Sequence, residues 1–219
     1  MFDLMPNLMR RDQGDAMGAM CSWVAVQGAA KAEVLGTLEL AETGEEVLPG
    51  EESSEFCCCE FPGGWFVIYS EDFDWATPEL TVDLSRFGPV LGCRYENKVE
   101  MTSTAWVLRD GAEVWRVHHD NTESIYRLDV TGDPPPELAE MRERLFREQA
   151  DDGGEESDTD FIADIPQELS KLVCGFRVEE GDEVFTGLQA RGGRATATTR
   201  PAQPSEAKPG FLARLFGRR

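Results

Sequence analysis

Three consecutive cysteines, Cys57, Cys58 and Cys59, stand in the stretch SEFCCCEFPGGW of this 219-residue chain and are the first side chains whose type could do chemistry. On an extended strand Cys57 and Cys59 share one face and Cys58 takes the other. Two thiolates from one edge fall short of the four ligands that structural zinc takes, commonly from paired C-x-x-C spacings. The other cysteines, Cys21, Cys93 and Cys174, are single and scattered. Adjacent cysteines are also poor disulfide partners. A thiol that behaves as a small hydrophobe fits a strand flanked by Phe56 and Phe61. The triplet is therefore expected in the core, and neither a metal nor a cofactor is expected.

Both histidines lie in WRVHHD. Period two puts His118 with Arg116 and Asp120, and His119 with Trp115 and Val117, so the two rings cannot be neighbouring ligands on a regular strand. His118 with Asp120 is the candidate catalytic pair, an oriented base or half a metal site, with Glu96 or Glu100 able to approach from the preceding segment. Neither G-x-S-x-G nor H-E-x-x-H accompanies it. A strand-end His and Asp closing a hairpin is the commoner outcome.

DDGGEESDTD, residues 151–160, holds six carboxylates in ten residues but lacks the order and closing Glu of a calcium loop. It reads as a disordered acidic loop. The terminal GFLARLFGRR spaces Phe211, Leu212, Leu215 and Phe216 along one face of a helix, with Arg214 and Arg218 one turn apart on its flank and Arg219 at the end. A helix this short needs a surface to hold it: a membrane, a partner groove or the acidic body itself.

The elements that must position these residues follow from periodicity and punctuation. CSWVAVQ and WFVIYS read as strands, the latter closing a hairpin with the cysteine strand over Pro62 to Gly64. AAKAEVLGTLEL reads as a helix with Gly44 as its stop, and the six glutamates between Glu42 and Glu55 as a solvated loop. TPELTVDLSRFGP carries Thr77 as N-cap, Pro78 at the first helical position and Gly88 as stop. Asp110 and Gly111 mark a hairpin that pairs Leu108 with Glu113, Val107 with Val114 and Trp106 with Trp115. ELAEMRERLFREQ and PQELSKLVCG read as helices, the second stopped by Gly175. FIAD reads as a short strand, and FRVE and EVFTGL as a hairpin about Gly181. Clustered strands with helices between the groups imply an α+β fold, with about four helices on a largely antiparallel sheet in one domain with flexible termini. The expected divisions are an N-terminal extension to residue 20, a body over 21–189, a linker over 190–208 and an amphipathic tail over 209–219.

Charge is the strongest compositional signal. The chain has 21 Lys and Arg against 42 Asp and Glu, a formal net charge of −21. Residues 190–219 hold seven of the basic residues and one acidic residue, leaving 14 basic and 41 acidic before them. Such a body repels nucleic acid and anionic lipid and attracts basic proteins. No apolar run approaches the roughly 20 residues that span a bilayer. The first 20 residues do not read as a secretory signal, and Met17 or Met20 could serve as an alternative start, so a cytoplasmic protein is expected. The function expected is a non-enzymatic acidic binding protein, of inhibitor or immunity type, engaging a basic protein. The alternatives are a small hydrolase or metal-dependent enzyme using His118 and Asp120, and a peripheral membrane protein held weakly and reversibly by its tail.

Overall fold

Aromatic, β-branched and cysteine side chains dominate residues 21–26, 57–61, 65–69, 90–95, 103–108 and 115–119, and in a computed structural model of the chain each stretch becomes a strand. The structure describes residues 19–50, 55–97, 101–122, 124–178, 180 and 183–191. One sheet holds β1 (Met20–Gln27), β2 (Leu40–Val47), β3 (Phe56–Phe61), β4 (Trp65–Ser70), β5 (Val90–Glu96), β6 (Thr102–Arg109), β7 (Ala112–Asp120), β8 (Leu128–Gly132) and β9 (Phe185–Ala190). The order across it is β2-β9-β3-β4-β1-β5-β6-β7-β8. Every neighbouring pair is antiparallel. With α1 (Lys31–Thr37), α2 (Pro78–Leu84), α3 (Leu138–Asp151) and α4 (Ile165–Cys174), the architecture is the α+β arrangement that the sequence implies.

Side-chain alternation divides the core into two layers. On one face Trp23, Leu91, Cys93, Ala105 and Val117 pack under Leu138 and Leu145 of α3 and Ile165 and Leu169 of α4. On the other, Val24, Val26, Ile68, Val90 and Trp106 meet Val34 and Leu35 of α1 and Leu84 of α2. Covered on both sides, β4 buries all six of its residues, hence its unbroken apolar text. Thr77 caps α2 by accepting from Leu80 N at 3.1 Å. That helix stops at Ser85, short of Gly88. Gly175 ends α4 with φ 87°, a conformation that glycine adopts without a Cβ penalty.

Several expectations are corrected. Trp106 and Trp115 do not meet: Leu108 faces Glu113 as the turn requires, but the register then shifts so that Val107 faces Trp115 and Trp106 faces Arg116. Val114 is the extra residue of a β-bulge, and one extra residue moves every later side chain of β7 to the opposite face. Trp106 therefore packs toward α2, its Nε1 donating to Thr81 Oγ1 at 2.9 Å, while Trp115 enters the α3–α4 layer. The stretch from Glu42 is not all loop, because β9 gives β2 a hydrogen-bonding partner. Gly44 lies within β2 at a register shift, and α1 ends at Thr37. FIAD is no strand: Ile162–Asp164 is a 3-10 turn leading into α4. Residues 176–178 form no strand, and β9 pairs instead with β2 and β3. The 151–160 stretch is folded, since buried Gln149 donates to the carbonyls of Gly154 and Thr159 and accepts from Phe161 N.

Candidate functional site

The bulge at Val114 decides where each histidine goes. It turns His118 to the side of the sheet that faces α2, beyond that helix, and drives His119 into the layer under α3 and α4.

His118 Nδ1 lies 2.7 Å from Thr104 Oγ1 on β6, and Asp129 of β8 is in register on its other side. Burial lowers the imidazole pKa against the opposing pull of Asp120 and Asp129, so the ring is neutral at neutral pH. Asp120 accepts from the backbone N–H of Thr122 at 2.9 Å, and that bond holds its carboxyl below the usual range. It is tied to its own turn. Glu96 lies in register with Thr102, which in turn faces Asp120, so a whole strand separates the two carboxylates; Glu100 lies outside the described residues. Arg116 pairs with Glu113 and Arg127 with Asp129 on the same surface. A hydroxyl against a neutral imidazole is half of a nucleophile–base arrangement. The Ser103 backbone also hydrogen-bonds the ring, but neither the cleft at the end of the sheet nor the one along α3 and α4 adjoins it, and a full site would further need donors for a developing oxyanion.

His119 is the histidine with a carboxylate partner. Its side chain is 0% exposed and that of Asp160 2%, with Nε2 and Oδ2 2.8 Å apart. Nδ1 lies 2.7 Å from the Arg127 carbonyl, an oxygen that can only accept, so Nδ1 carries a proton and one further proton lies between Nε2 and Oδ2. The other carboxylate oxygen accepts from Ile162 N and Ala163 N, capping the 3-10 turn. Four segments are thereby fastened at one point: β7, the approach to β8, the end of the acidic stretch and the 3-10 turn that leads into α4. Sealed from solvent among the described residues, the pair is placed to fasten these segments rather than to meet a substrate.

Cys57 and Cys58 are buried on opposite faces of β3, and Cys59 is half-buried on the Cys57 side. Burial pushes the thiols of Cys57 and Cys58 each up to about 12, so both are protonated and unreactive at neutral pH. All six cysteines are free. Among the described residues no three His, Cys, Asp or Glu side chains could share a metal ion.

Two clefts lie elsewhere. One of about 460 Å³ opens at the end of the sheet between Trp65, Trp115 and Pro134 to Pro136. Another of about 520 Å³ lies along α3 and α4. Neither includes His118, His119 or Asp120. Beside the second, Arg177 contacts Asp164 at 2.9 Å, Glu180 at 3.1 Å and Glu168 at 3.6 Å, and Lys171 also pairs with Glu180. No spacing in the sequence signals this network, nor the pairing of His119 with Asp160 across 41 residues. The tail candidates Phe211, Leu212, Arg214, Leu215, Phe216, Arg218 and Arg219, like residues 1–18, lie outside the described residues. No helix among those described is long and apolar enough to cross a membrane. No protein-family model, curated protein or solved structure matches this chain.

Proposed function

We propose that this chain is a non-enzymatic binding protein of the cell interior whose acidic body engages a basic protein surface, in the manner of an inhibitor or immunity protein. One observation carries the reading: 41 acidic against 14 basic residues before residue 190. The way these charges are spent supports it. Lys31, Arg116, Arg127, Arg144, Arg147, Lys171 and Arg177 are each already paired with a carboxylate. Glu45 and Glu46 on β2 and Glu137, Asp151, Asp152, Glu155, Glu156 and Asp158 in and around α3 remain exposed to solvent. A field of that sign speeds encounter with a cationic partner and weakens as salt screens it. Free thiols suit a reducing compartment.

The test is affinity purification of the full chain from its source at about 50 mM and about 500 mM salt, conditions on either side of the point where the screening length becomes short. One stoichiometric basic protein, retained at low salt and released at high salt, is expected. An acidic partner, a salt-insensitive one, or none at all sinks the reading.

A further inference from the structure

The cleft along α3 and α4 is lined by Met141, Glu168, Lys171, Leu172, Arg177 and Glu180. We propose that it seats the chain's own segment 209–219, laid in as a short amphipathic helix. This stands on the cleft and the segment alone and does not depend on the identity of any partner.

The floor is apolar where the segment is apolar. Leu172 is 45% exposed, a large side chain left uncovered on an otherwise well-packed helix, and Met141 faces it from α3. Phe211 with Leu215, and Leu212 with Phe216, repeat at i, i+4, the spacing with which one helix fills the groove between two others. Charge is complementary as well. Glu137, exposed and one turn before Met141, is the carboxylate left to meet an arginine, since Glu168 is already shared by Arg144 and Arg177. The cations of the rim, Lys171 and Arg177, are both held by carboxylates and do not repel Arg214 and Arg218.

Chain length permits the contact. The described chain leaves the sheet at Arg191, whose Nε donates to Leu40 O at 2.8 Å. Seventeen residues, 192–208, rich in Gly, Ala, Thr and Pro, separate that point from the segment. A Gly-, Ser- or Ala-rich chain of that length would have a root-mean-square span of about 23 Å if unstructured, and a body of this size has a radius of about 20 Å, so such a span reaches most of the surface. Tethering supplies an effective concentration of about 1 mM. A helix too short to persist alone is then held by contacts far weaker than a free peptide needs.

The test uses the full chain with Phe216 replaced by the photo-crosslinker benzoylphenylalanine. Irradiation is expected to join position 216 to the peptides carrying Met141 or Leu172 of the same molecule, with a yield independent of protein concentration. Leu172→Asp should lower that yield about fivefold by removing half of the apolar floor. Val82→Asp, at an exposed site on α2, should leave it unchanged. Leu172→Gln serves in its place if circular dichroism shows that the aspartate variant is misfolded. Cross-links to another face, between two chains, or to added anionic vesicles in place of the cleft overturn the proposal, as does a yield that the Leu172 variants do not alter.

Discussion

Asp160 answers three donors at once, the Nε2 side of His119 and the backbone N–H groups of Ile162 and Ala163, all inside the protein. Asp160→Ala leaves these donors without an acceptor, and the loss of one member of a buried pair costs about 3–5 kcal/mol. Asp160→Asn differs in kind. Its carbonyl oxygen can still cap the turn, and its amide can donate to Nε2 of an imidazole protonated only on Nδ1, so the network closes with one proton fewer. A urea midpoint for Asp160→Asn close to the parent, with Asp160→Ala far below it, is the expected result. Equal losses in the two variants would show that geometry rather than hydrogen bonding dominates there. The same residues mark a limit of sequence reading: Asp160 is one of six carboxylates in ten residues, and nothing local separates it from five that face water.

Between elements, β5 packs tightly on β6. Gly92 sits opposite Trp106, and a Cβ at residue 92 would lie 2.3 Å from Trp106 Cζ2. The indole fills the space that glycine vacates and is anchored at its far side by Thr81. Gly92→Ala must displace that ring, and overpacking together with a lost buried hydrogen bond costs about 2–4 kcal/mol. Because the clash belongs to the pair, Gly92→Ala combined with Trp106→Leu should be less destabilised than the sum of the single variants in equilibrium unfolding. Strict additivity would contradict this packing. Elements with local punctuation were readable in advance: Thr77 with Pro78 for α2, Pro166 with Gly175 for α4, Asp110 with Gly111 for the β6–β7 turn. Those settled by remote partners were not. The glutamates of β2 are strand because β9 arrives from 140 residues away to pair with them, and the bulge at Val114 leaves no mark in the text. The candidate site suffered most, since that bulge determines which histidine is buried.

At the scale of the whole molecule, stability should fall at alkaline pH. Cys57 and Cys58 shed their protons near 9 when unfolded and at about 12 when folded. Burial raises the Tyr69 phenol as well. In the window between the two values the unfolded chain binds fewer protons than the folded one, so stability is intact below about pH 9 and falls as pH rises, by up to about 1.4 kcal/mol per pH unit for each thiol. Urea midpoints at pH 8 and pH 10.5 should differ accordingly, and Cys57→Ala with Cys58→Val should flatten the dependence. An unchanged slope in the double variant would place the alkaline sensitivity elsewhere.

The strand order β2-β9-β3 also bears on how the protein is made. β9 is the last of the nine described strands, yet it is wedged between the second and the third. On the ribosome, β2, whose partner is β9, has no strand to pair with until Ala190 has emerged, and β3 shows a bare rim through most of translation. Pairings between distant parts of the chain form slowly, so until β9 docks the free edge of β3 stays open to pairing with another chain.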